Sequence, residues 1–333
     1  MWFVFTLIAL FGWGFADMLY KMGTVENDPH SFLKITVWVG IFMGVLSIIL
    51  LPFSESGLPL FKLLFAYGGA VYSSLFYIAS MIFGYAGIKY LEVSILSPVE
   101  NASGAVSMLG MIVFFSLRGK YSSVADVMGK ADFIGVILCV AGIVLLAVVE
   151  KNILDRYERV GVDSVITKDS GMKEAGREHV RRNKLGVAAL VFPLIYCVLD
   201  SVGTAINGIA LDSDFGGSLG EIDNQIIYGF YFLAAAIIIW IYLRIRTGEF
   251  YNPFKKTEKV RAAAGFVETA ANIFYIYAIA REPVLVAPII GSYCIVSMAF
   301  SRIFLKEKLY KEQYICLFMV VAGIVILGIS EVV

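Results

Sequence analysis

The sequence predicts an all-α integral membrane protein, with ten transmembrane helices arranged as two inverted five-helix repeats. Three observations lead there. Hydrophobic residues make up 59% of the chain, charged residues only 16%, and the mean hydropathy is +0.81, which leaves too little polar surface for a soluble domain of this length. Apolar runs of the roughly 20 residues needed to cross a bilayer recur from end to end. The third observation is an internal duplication. YAGIKYLEVSILSP (Tyr85 to Pro98) leads through an apolar stretch and a basic turn to AGIVLL (Ala141 to Leu146). YIYAIAREPVLVAP (Tyr275 to Pro288) leads the same way to AGIVIL (Ala322 to Leu327). Tyr85 matches Tyr275, Glu92 matches Glu282 and Pro98 matches Pro288, all at a constant spacing of 190.

The elements follow in order. Trp2 to Met22 lacks the cationic start and small-residue cleavage site of a secretory signal, carries Asp17 and Lys21 where cleavage would fall, and reads as the first span. Further spans are expected near 33–52, 65–89, 93–117 and 131–149, completing a first repeat over residues 1–150. Residues 151–184 are hydrophilic with charges of both signs and read as a solvated linker. The second repeat, 185–333, holds spans near 185–207, 225–245, 260–280, 284–305 and 312–330. Short joins make helical hairpins of spans three and four and of spans eight and nine. Hydrocarbon leaves no alternative partner for backbone amides, so helix is forced throughout. Five helices per copy is an odd number, so the copies enter the membrane in opposite senses, related by a pseudo-two-fold axis in its plane. Trp13 and Asp17 of the first span also match Tyr196 and Asp200 of the sixth, at a spacing of 183.

Pro98 and Pro288 each remove one intrahelical hydrogen bond. One reading is a first-turn proline. Their matched positions favour a shared hinge or helix break lining a cavity.

Ionisable side chains facing lipid cost about 3 kcal/mol or more, so those deep in spans should face protein or a water-filled cavity. Glu100 and Asn101 share a helical face with Ser97 and Gly104, a stripe that suits a cavity wall or, alternatively, close helix–helix contact. Glu268 and Asn272 lie one turn apart, followed by Tyr275 on the same face, a set suited to a cation or a substrate amine. Asp200 has no basic neighbour one turn away and joins them as a substrate-binding candidate. Asp17 is a fourth candidate, but Lys21 at i+4 favours an intrahelical ion pair near the membrane surface over a cavity role. Tyr67, Tyr72 and Tyr77 read as core residues and interfacial anchors rather than as a pathway.

Other chemistry has little raw material. The four cysteines fall inside apolar segments without CxxC spacing, and the two histidines, His30 and His179, lie in loops. No metal, cofactor or catalytic residue is expected. There is no intramembrane histidine, no paired-acid spacing and no nucleophile elbow, so a membrane enzyme is disfavoured. The zero net charge gives no argument for nucleic acid.

REPVLVAPIIGSYCIVSMAFSRIFLKEKLYKEQYICLFMVVAGIVILG (Arg281 to Gly328) resembles the EamA-type module of the drug/metabolite transporter superfamily, through the Pro288 helix, the turn at Glu307 and Gly323 in the final helix. The first copy keeps Pro98, Gly135 and Gly142, but its turn reads LRGK (Leu117 to Lys120) with no glutamate. The resemblance implies a ten-helix carrier for small organic solutes in the plasma (cell) membrane, with cytoplasmic termini. Loop charge implies the reverse. Odd-numbered loops hold 22 of the 27 lysines and arginines, which by the positive-inside rule places both termini outside.

The function expected is secondary transport of a small organic metabolite, an amino acid or similar, by alternating access between the repeats. The expected partners are the solute and the bilayer; no oligomer is required. One of the buried acids could carry a coupling proton, and facilitated diffusion or exchange fits the sequence equally well. The competing reading is a receptor or assembly subunit that kept a carrier fold.

Overall fold

The computed structural model describes every residue except 26–27, 92, 123–125, 167–189, 216–218, 254, 256–257, 306–310 and 331–333. Glu92, Glu307 and His179 therefore lie outside the described residues. The described residues are all-helical, with no strand among them, and eight helices are long and apolar enough to cross a membrane.

In chain order the helices are α1 (Trp2–Gly23), α2 (Ser31–Leu50), a short α3 (Leu60–Ala66), α4 (Gly68–Tyr90), α5 (Val93–Asn101), α6 (Ser103–Leu117) and α7 (Lys130–Ile166). They continue as α8 (Val191–Leu211), α9 (Glu221–Thr247), α10 (Lys259–Ile279), α11 (Pro283–Ile290), α12 (Tyr293–Phe300) and α13 (Lys311–Ser330). The eight membrane-capable helices include the composite runs Leu96–Leu117 and Pro283–Leu305.

Two boundaries differ from the sequence reading. The third span was expected to start near residue 65, but the backbone leaves helix at Tyr67 (φ −111°, ψ 87°), which separates α3 from α4. Helix α7 continues through Ile166, so the first part of the expected linker is helical. No proline falls between 130 and 166 to stop it; the rest of the expected linker, 167–184, lies outside the described residues.

The fourth and ninth expected spans are each built of two pieces, and each break follows a proline. Pro98 is the sixth residue of α5 and Pro288 the sixth of α11, so neither is a first-turn proline. A side chain supports the backbone at each break: Asn101 Nδ2 donates to Ser97 O at 2.7 Å, and Ser292 Oγ donates to Pro288 O at 3.0 Å. The broken helices cross at their breaks. A Cβ on Gly104 would lie 2.3 Å from Ala287 O, and one on Gly291 would lie 2.6 Å from Asn101 O. Only glycine permits that approach.

Most close helix pairs join the two halves of the chain: α1 with α10, α2 with α9, α4 with α8, and α7 with α13. Large apolar side chains remain on outer surfaces, among them Phe11, Leu109, Ile238 and Phe318, as a lipid-facing surface requires. Polar clasps join the halves at both ends. Where α1 ends, Arg261 Nε donates to Gly23 O at 2.8 Å and its Nη1 meets Glu258 Oε1 at 2.7 Å. Asp28 beside them pairs with Lys34 at 2.5 Å. Burial works to raise the Asp28 carboxyl, but the Lys34 ammonium, the His30 amide and Arg261 outweigh it and hold the group below its ordinary value. At the other end, beyond α2, Asp223 accepts from Ser54 Oγ at 2.6 Å and from the Ser56 amide at 2.8 Å. Lys120 pairs there with Asp212 and, at 3.0 Å, with Asp214.

Candidate functional site

Between the two halves lies a cavity of about 50 Å³. All six residues singled out from the sequence line it: Glu100, Asn101, Asp200, Glu268, Asn272 and Tyr275. They arrive from three helices, α5, α8 and α10, and Ser103 at the start of α6 lines the cavity beside them. Five of the six are buried and Asp200 is half-buried. Pro98 and Pro288 are buried beside the cavity and set the breaks that bring Glu100, Asn101 and Gly291 to its wall.

Glu268 is held by two phenols from the first half. Tyr20 OH donates to its Oε2 and Tyr77 OH to its Oε1, both at 2.5 Å. Asp200 Oδ2 accepts from Ser103 Oγ at 2.7 Å. Asn272 Nδ2 donates to Gln225 Oε1 at 3.1 Å, which ties α10 to α9. Glu100 differs from the other acids: it is 3% exposed and its Oε1 has no hydrogen-bond partner.

Asp17 corrects the sequence reading. It lines the cavity, and its Oδ2 accepts from Ser97 Oγ at 2.8 Å and from Ser297 Oγ at 2.7 Å, one serine from each half. Lys21 reaches elsewhere, donating to the carbonyls of Ile88 and Leu91 at 2.6 Å each. Those carbonyls belong to the C-terminal turn of α4, where a cation is favourably placed. Tyr77 is a second correction, since it lines the cavity; Tyr72 is exposed, at 61%.

Sequence reasoning also missed most of the aromatic wall. Trp13, Tyr20, Tyr85, Tyr196, Tyr228 and Tyr293 line the cavity too. The rings pack closely: Trp13 lies 4.9 Å from Tyr275, and Tyr20 lies 4.6 Å from Tyr85. The signal that could have found several of them is the duplication. Tyr85 with Tyr275, Trp13 with Tyr196, and Asp17 with Asp200 were already matched pairs, and all six members face the cavity.

This arrangement gathers carboxylates, amides and phenols around one tyrosine-rich space between two helical halves.

Residues 192–329 match the EamA-like transporter family. The match runs from α8 to α13, and the family belongs to the drug/metabolite transporter superfamily. With its membrane-capable helices, the chain is an integral multi-pass membrane protein. No curated protein matches the chain. A solved structure titled only "Crystal structure of protein" is similar to it with a TM-score of 0.54 and 14% identity, over 98% of this chain and 96% of that one. At that identity the likeness is one of fold.

Proposed function

We propose that the chain is a secondary transporter, and not an enzyme, which moves a small organic metabolite of amino-acid size across the plasma membrane by alternating access. In this reading ten spans form two inverted five-helix repeats, 1–150 and 185–333, rocking about the central cavity. Glu100, Asn101, Asp200, Glu268, Asn272 and Tyr275 bind the solute. Pro98 and Pro288 supply the points at which their helices bend.

The observation that carries the reading is the convergence of polar residues from both halves on one buried cavity. Two further features support it: the cross-half helix pairs, which a pseudo-two-fold axis would generate, and the match to a transporter family over the second half. The cavity is far smaller than the roughly 300 Å³ of a site that encloses a small ligand, so a solute requires the halves to part. The polar clasps at Arg261 and at Asp223 are the contacts such a motion would break in turn. One of the buried acids carries a coupling proton in this scheme, and one chain suffices for a complete pathway.

The test is uptake by liposomes containing the purified protein, after a ligand-stabilisation screen across amino acids, sugars and nucleotides. Glu100→Gln and Glu268→Gln are expected to lower uptake of any hit about tenfold or more, the scale of a lost charge-assisted hydrogen bond. Normal transport by both variants would show that the solute binds elsewhere. Uptake indifferent to an imposed pH gradient would remove the proton from the scheme.

A further inference from the structure

The cavity wall is lopsided in charge. Asp17, Glu100, Asp200 and Glu268 all line it, and among the described residues no lysine, arginine or histidine does. Serine or tyrosine hydroxyls donate to Asp17, Asp200 and Glu268. Glu100 Oε1 has no donor at all, although the side chain is 97% withdrawn from solvent. A buried acceptor left without a donor costs about 1–3 kcal/mol, and more when it is charged. An N–H donor, best a cationic one, would satisfy this oxygen. Aromatic rings around the same space, Trp13 against Tyr275 and Tyr20 against Tyr85, offer faces that attract cations. A carboxylate on the solute would meet no positive side chain in the wall and would face four acids.

We infer that the cavity takes an organic cation, bearing an ammonium or guanidinium group and no free carboxylate, with Glu100 as its ion-pairing partner. This rests on the carrier reading and narrows it from solutes of amino-acid size to amines and guanidines. A volume of about 50 Å³ suits the cationic head alone, so the remainder of the solute enters as the cavity widens.

The experiment uses the whole chain in lipid nanodiscs and two series of probes that vary the charged groups on a guanidino or a phenyl scaffold. Agmatine, arginine and 5-guanidinopentanoate form one; phenethylamine, phenylalanine and phenylacetate form the other. Titration calorimetry is expected to show saturable binding of agmatine or phenethylamine. The carboxylate-bearing member of each pair should bind at least about tenfold more weakly, and phenylacetate not at all. Glu100→Gln should weaken the cation about tenfold while its thermal midpoint in the absence of probe stays near that of the parent, and Glu100→Asp should recover part of the loss. The inference is overturned if neither cation binds, if arginine or phenylalanine binds as tightly as its decarboxylated counterpart, or if Glu100→Gln leaves the cation's affinity unchanged. Should that variant fail to fold, the comparison within each series decides alone. Uptake into liposomes separates the two readings. Cation-selective binding without uptake overturns the carrier and keeps the ligand class, whereas preferential uptake of arginine over agmatine does the opposite.

Discussion

Glu268 shows what a single buried acid demands of its surroundings. Both carboxyl oxygens are taken by phenols, Tyr20 from α1 and Tyr77 from α4, so an acid of the second half is held entirely by the first. Asp17 is held by serines from both halves. The acids were legible in the sequence because charge deep in an apolar run has few explanations. Their partners were not, because tyrosine and serine are ordinary in membrane helices as interfacial anchors and helix contacts. Asp17 misled for a physical reason: Lys21 stands at i+4, but its long stem carries the ammonium to the end of α4. Asp28, outside the spans, gives a residue-scale prediction. Its folded value is depressed, so its contribution to stability is present above the unfolded value near 4 and is lost as pH falls through the folded value. Asp28→Asn is expected to lower the thermal midpoint at neutral pH, and the two proteins should converge as the buffer is taken below about pH 4. A midpoint difference that persists undiminished in acid would show that the carboxylate's charge is not the cause.

At the scale of elements, the two broken helices depend on how closely α6 and α11 approach. A Cβ on Gly104 would meet a backbone oxygen at 2.3 Å, whereas one on Gly110, two turns along the same helix, would meet only Ala205 Cβ at 3.8 Å. Gly104→Ala is expected to destabilise the protein by about 1–3 kcal/mol through overpacking and to abolish transport. Gly110→Ala should be neutral or slightly stabilising, since alanine is the better helix former by about 1 kcal/mol. Thermal unfolding of both variants in detergent checks the contrast, and equal midpoints would contradict it. The two prolines could be read from the sequence as matched features. The position of each break could not, because it depends on which side chains, Asn101 and Ser292, stand in for missing backbone bonds. The end of α7 was hidden for another reason: polarity marks where a helix leaves the membrane, and a helix can continue in water.

For the whole molecule, the pairing α1–α10, α2–α9, α4–α8 and α7–α13 means that much of each half's packing surface lies in the other. Segments 1–166 and 185–333, produced together as separate polypeptides, are expected to co-purify and to unfold in one transition. Either segment alone should aggregate or be degraded. A monodisperse second segment, stable in detergent without the first, would refute this interdependence.

Helices α7 and α13 meet closely, with a Cβ on Gly323 falling 2.7 Å from Gly135 O, yet among the described residues neither contributes to the cavity wall. Part of what holds the bundle together therefore lies away from the cavity. Substitutions along this outlying seam are expected to alter how firmly the protein persists in its bilayer while leaving the cavity's own side chains in place.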